Sequence, residues 1–138
     1  MAETLAEAAE RYASMGWAVF PLRPRGKEPR TKNGVKDACA DVEQVRAFWA
    51  RYPDSNIGIA MGEPSGGIVA IDADVDPEAG KDGVDTISEW ERAHGELPET
   101  ACSLTGRDGY HMLYRMEGVR NSVNADAAVD IRSTGGYI

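Results

Sequence analysis

Cysteine and histidine are scarce in this chain, with two of each. Cys39 and Cys102 lie far apart and form no CxxC pair, which argues against a thiolate zinc site, so no zinc is expected. Unpaired thiols of this kind suit a reducing compartment, and a cytoplasmic protein is expected. No apolar run reaches spanning length and no charged-then-apolar leader opens the chain, so no membrane partner is expected. Aromatic residues are few, and Trp17, Trp49 and Trp90 fit core positions better than stacking platforms for bases. The glycine-rich segment Gly62-Glu-Pro-Ser-Gly-Gly67 lacks the Lys-Ser/Thr pair of a P-loop, and no GxGxxG opens a helix. There is no Ser-His-Asp or Cys-His signature, no internal repeat and no low-complexity tract.

What is present is 138 residues of ordinary globular composition, read as one domain over 1–138 with room for a core. The net charge of −8 argues against simple non-specific duplex binding. The charge is nevertheless segregated. Residues 23 to 36 carry Arg23, Arg25, Lys27, Arg30, Lys32 and Lys36 against Glu28 alone. Residues 72 to 85 carry Asp72, Asp74, Asp76, Glu78, Asp82 and Asp85 against Lys81 alone. A basic arm beside an acidic pole suits a phosphate ligand held next to a metal. The plain alternative is two solvated loops.

Periodicity predicts a helix over 4–15 with Gly16 as its stop, then a strand over 17–20 closed by Pro21. Residues 21–36 read as a loop. Asp41, with Gln44 three residues on, caps a second helix carrying Val42, Val45, Phe48 and Trp49 inward. Strands are expected over 56–61 and 68–74, an acidic loop over 76–83, and a third helix over 85–94 with Ile87 and Trp90 inward. Residues 101–105 and 110–115 read as a hairpin around a tight turn at 106–109, and 127–132 as a last short strand. Adjacent short strands with helices between them predict an α+β fold, a mixed or antiparallel sheet with packed helices.

The chemistry centres on Asp72-Ala-Asp74. In a strand, residues i and i+2 share a face, so both carboxylates project together from the end of the run Gly67-Ile-Val-Ala-Ile71. Adjacent carboxylates repel unless a cation or a shared proton lies between them. Oxygen-only ligands suit Mg²⁺ or Mn²⁺. A calcium hand is excluded, because Pro77 stands where its glycine belongs and Gly83 where its bidentate Glu belongs. Turn-capping is the structural alternative for the pair. Asp130, in Val129-Asp-Ile-Arg132, is a candidate third carboxylate and shares a face with Arg132. Three such groups can hold two cations for phosphoryl displacement. His111 opens a strand and, with Arg107 in the preceding turn and Arg132, can donate to a phosphate; a partly buried histidine at a strand start is the structural alternative. Lys27 and Arg30 are candidates for template or nucleotide phosphates. His94, at a helix C-terminus, needs no function.

Taken in order, Gly16-Trp-Ala-Val-Phe-Pro-Leu22, Gly26-Lys-Glu-Pro29, Asn56-Ile-Gly-Ile59, Asp72-Ala-Asp74, Gly109-Tyr-His111, Val129-Asp-Ile-Arg132 and Gly135-Gly-Tyr137 resemble a known family. It is the N-terminal primase-polymerase domain of bifunctional DNA primase/polymerases, within the archaeo-eukaryotic primase superfamily. The resemblance runs from about Ala8 to Ile138. It implies an RRM-like sheet beside a second α/β unit. It implies Asp72, Asp74 and Asp130 as metal ligands and His111 as a contact to the incoming triphosphate. The implied activity is template-directed nucleotidyl transfer, with NTP or dNTP, single-stranded template and primer as partners and a two-metal Mg²⁺ or Mn²⁺ site. A helicase module often follows in such proteins, and further structure usually follows the Gly-Gly-Tyr segment, so a C-terminally truncated or shortened domain is expected. Two other readings stand beside it: a binding module for nucleotide or single-stranded DNA without turnover, and a different metal-dependent phosphoryl-transfer enzyme.

Overall fold

A computed structural model describes residues 2–104 and 109–138. The N-terminal layer opens with α1 (Leu5–Ser14), capped by the Thr4 hydroxyl, which accepts from Glu7 N. Ala9 and Ala13 face inward. Gly16 ends the helix at φ +88°, the left-handed region that suits glycine. The second helix, α2 (Val42–Arg51), starts at Asp41, whose carboxylate accepts from Glu43 N and Gln44 N. It buries Val45 and Trp49. Both helices pack on an antiparallel pair, β1 (Val19–Leu22) with β2 (Asn56–Ile59).

The strand expected over 17–20 instead runs through Pro21. Val19 exchanges backbone bonds with Cys39, and Pro21 O accepts from Arg30 N. These two residues therefore aim their backbone groups away from β2, and the missing proline N–H breaks no bond of that pair.

The second layer is a five-stranded sheet ordered β6 (Cys102–Leu104), β7 (Tyr110–Arg115), β3 (Ile68–Ala73), β9 (Val129–Arg132), β8 (Ser122–Asp126). Every pairing in it is antiparallel. The central strand, β3, is buried along its whole length. Ile68 and Ala70 join the core made with Val19, Val45, Trp49 and Met61. Ile71 and Ala73 join a second core with Val129 and with Ile87 of α3 (Gly83–His94). The near-continuous apolar run is thus the signature of a strand covered on both faces. The result is the α+β arrangement expected, its sheet resolved as antiparallel.

Three expectations need correction. A strand at 122–126 was not foreseen: all five residues of β8 are exposed, so the short alternation of Val123 and Ala125 marks no buried face. The acidic segment after Asp74 is not a plain loop but holds a two-residue ladder, β4 (Val75–Asp76) with β5 (Lys81–Asp82). The third helix begins at Gly83 rather than Asp85, because the Asp82 carboxylate caps it by accepting from Asp85 N. Of the tight turn expected at 106–109, residues 106–108 lie outside the described residues. Trp49 is buried, and Trp17 and Trp90 are partly buried against the two cores, Trp17 also stacking on Tyr12 at 5.5 Å and Trp90 donating to Asp126. Among the described residues, no helix is long and apolar enough to cross a membrane.

Candidate active site

The register of the sheet builds the site. Asp72 on β3 pairs with His111 on β7 and with Asp130 on β9. Directly opposed residues share a face, so the three side chains form a row across three adjacent strands. It lies on the face that Ile68 and Ala70 present to the N-terminal layer, where that layer gives way to a cleft. Asp74 falls just beyond the strand end, yet its backbone is pinned on both sides. Its N–H donates to Ala128 O at 2.8 Å, and its carbonyl accepts from Gly83 N at 2.7 Å. The start of α3 thereby holds the second acid of the pair beside the first.

Asp72, Asp74 and Asp130 each offer one carboxylate oxygen, all within 4.8 Å of one another. Asp72 and Asp130 are only 9% and 6% exposed. Asp130 is well supported, since its Oδ1 accepts from Asn124 N at 2.7 Å and its Oδ2 from Arg132 Nη2 at 2.8 Å. Asp72 is not. Its Oδ1 is buried without a hydrogen-bond partner, although His111 Nε2 lies 3.2 Å away, and Arg132 Nε stands 3.9 Å from Oδ2. Burial pushes the Asp74 carboxyl above the ordinary carboxylate range. The negative charges of Asp72 and Asp130 push the same way, and Lys81 and Lys27 oppose them. An orphaned buried carboxylate oxygen and two crowded neighbours are costly unless a cation satisfies them. The donor set, oxygen only, fits a hard divalent ion such as Mg²⁺ or Mn²⁺.

The cleft in front of this row has a volume of about 370 Å³. Asp72, His111 and Arg132 line it from the sheet, and Lys27, Asn56 and Ile57 from the N-terminal layer, with Tyr137 beside them. Of the residues singled out from sequence, the fold brings together Asp72, Asp74, Asp130, His111 and Arg132, with Lys27 on the facing wall. Arg30 is engaged elsewhere: it pairs with Asp54 at 2.9 Å, donates to Ser55 Oγ and lies over the Tyr52 ring. Arg107 lies outside the described residues. Three participants had no assigned role. Asn56 and Tyr137 sit in motifs that were noted but carried no chemistry. Asn124 contributes only a backbone N–H, for which sequence has no signal. It becomes available because β8 is irregular between Ser122 and Asp126, with Asn124 at φ +54°.

A family model described as bifunctional DNA primase/polymerase, N-terminal, matches residues 9–138. The chain belongs to this family. No individual curated protein matches it. A primase-polymerase domain has the α+β, primase-like fold seen here. The family is one of nucleotidyltransferase-type enzymes of DNA replication, acting on nucleotides and DNA in general and suggesting divalent metals as cofactors. In this primase-polymerase domain the acidic triad is the arrangement compatible with such a metal.

Proposed function

We propose that the chain catalyses template-directed nucleotidyl transfer, extending or starting a strand on single-stranded DNA from NTP or dNTP. One observation carries the reading: three carboxylate oxygens gathered within 4.8 Å, with Asp72 among them lining a cleft whose walls also carry His111, Arg132 and Lys27. Carboxylates and cations on facing sides suit a metal-bound polyphosphate better than either charge alone would.

Asp72, Asp74 and Asp130 would hold two Mg²⁺ or Mn²⁺ ions, which supply activation of the attacking hydroxyl and neutralisation of the departing pyrophosphate. His111 and Arg132 donate to phosphate oxygens, where positive charge offsets the negative charge that builds up on the leaving group. Arg132 also orients Asp130 through its 2.8 Å bond, so one side chain links the acidic row to the phosphates. Lys27 grips phosphate from the opposite wall. Arg107, four residues before His111 in sequence, would contact the same triphosphate. Arg30 supports the basic segment against Asp54, leaving backbone phosphates of the template to it and its neighbours at low salt.

The test is synthesis on a single-stranded template with Mn²⁺ and labelled nucleotides. Wild type is expected to give extended products and pyrophosphate. Asp72→Asn and Asp74→Asn are expected to lose at least about 100-fold in rate while keeping the fold. Full activity in either variant, or release of phosphate and cut strands in place of pyrophosphate, would defeat the assignment.

A further inference from the structure

The turn that carries Lys27 is held from inside the cleft. The chain reverses between Leu22 and Pro29, which bridge each other. Gly26 N donates to Arg23 O at 3.0 Å, and Arg23 N donates to Glu28 O at 2.7 Å. Two further bonds come from the cleft wall. Asn56 Nδ2 donates to Gly26 O at 2.9 Å. Tyr137 Oη donates to Lys27 O at 2.8 Å, across 110 residues of chain. Successive carbonyls of one turn are thus gripped by side chains from two distant segments.

Both grips have firm roots. The Tyr137 ring meets the fully buried Phe20 ring edge-on, with centroids 5.1 Å apart. The Asn56 amide oxygen accepts from Ile57 N at 3.0 Å, which fixes the orientation of the donating nitrogen. Carbonyls in an exposed turn are satisfied by water equally well, so folding alone does not call for two dedicated donors. What they fix is the backbone of Lys27, the cation that the N-terminal layer contributes to the cleft. A lysine on a free turn gives up much freedom when it grips an anion. One on a braced turn gives up less and binds more tightly.

We propose that Tyr137 and Asn56 are positioning residues for the nucleotide polyphosphate, holding the Gly26–Lys27 backbone so that the Lys27 ammonium stays on the cleft wall. This rests on the nucleotidyl-transfer reading above. It joins Lys27, a phosphate-binding candidate from the sequence, with Asn56 and Tyr137, whose motifs were noted without a role, into one device.

The experiment is isothermal titration of the full chain with ATP and with dATP, each with Mn²⁺, at about 50 and about 200 mM salt. Tyr137→Phe keeps the ring and its contact with Phe20 and removes only the donor. It is expected to weaken binding about tenfold and to flatten the salt dependence toward that of Lys27→Ala, with an unchanged melting temperature. A phenol bears no charge at neutral pH, so a change in salt response must act through the lysine. The double variant is expected to bind no more weakly than Lys27→Ala alone. Asn56→Ala is expected to follow Tyr137→Phe. Wild-type affinity in Tyr137→Phe, or a loss that adds to that of Lys27→Ala with the salt response intact, overturns the inference and leaves the functional reading standing. A wild type that binds neither nucleotide overturns both.

Discussion

Burial first, and then the negative charges of Asp72 and Asp130, act against the ionised form of Asp74. It is half-buried, and Asp72 and Asp130 lie on the same side of the sheet. Its carboxyl is therefore raised in the folded protein relative to the unfolded chain. A raised acid means that the folded state binds the proton more tightly, so the charged form destabilises the fold at neutral pH. That penalty fades as pH falls through the folded-state value toward the unfolded one. In the absence of metal, Asp74→Asn is expected to melt at a higher temperature than wild type at neutral pH. The gap should narrow on acidification through the carboxylate range. Added Mn²⁺ should reverse the order, stabilising wild type more than the variant. Melting curves in chelator and in Mn²⁺, across that pH range, check all three. A variant that melts below wild type in chelator would show that Asp74 is not under repulsion.

At the scale of elements, the contact between α3 and the end of β3 decides whether the acid pair stays together. Gly83 is the point of closest approach: a β-carbon there would overlap the Ala128 carbonyl and come within 2.8 Å of Asp74 N. Both neighbours are backbone, so neither can rotate away. Gly83→Ala is expected to cost about 1–3 kcal/mol by overpacking and to weaken Mn²⁺ binding as Asp74 is displaced. Chemical denaturation and metal titration measure the two effects.

Elements also differ in how plainly they could be read. β3, the second helix with its Asp41 cap and the acid pair were legible because burial on both faces, a side-chain cap and i, i+2 spacing all leave marks in sequence. That Asp130 and His111 flank Asp72 was expected from chemistry and resemblance, but only the register makes it a row. β8 was illegible, since its brief alternation of Val123 and Ala125 buries nothing and an irregularity turns one of its N–H groups toward Asp130. Pro21 misled because a proline ends a strand only where its N–H is needed. The bracing of Lys27 by Tyr137 spans 110 residues, and no local pattern reports a contact of that range.

At the scale of the whole molecule, the cleft lies between two layers: the sheet lines it with Asp72, His111 and Arg132, and the N-terminal layer adds the cation Lys27. A polyphosphate bound there touches the sheet through His111 and Arg132 and the N-terminal layer through Lys27. It binds only when both layers are folded and docked, so it stabilises them jointly. Nucleotide with Mn²⁺ at about 100 times its dissociation constant should add about 2.7 kcal/mol to global stability. The melting transition should shift as one cooperative step. A shift confined to part of the transition would show that the layers unfold independently. Asp72→Asn should abolish most of the gain.

The row of His111, Asp72 and Asp130 also makes the domain a gauge of its own strand alignment. If β7 slid by one position against β3, Tyr110 or Met112 would stand opposite Asp72. If β9 slid, Val129 or Ile131 would replace Asp130. Either error removes a member of the row and leaves secondary-structure content nearly unaltered. Divalent-ion affinity therefore reports correct threading of the sheet, which circular dichroism would miss, and misassembled molecules in a preparation would be those that ions fail to rescue from heat.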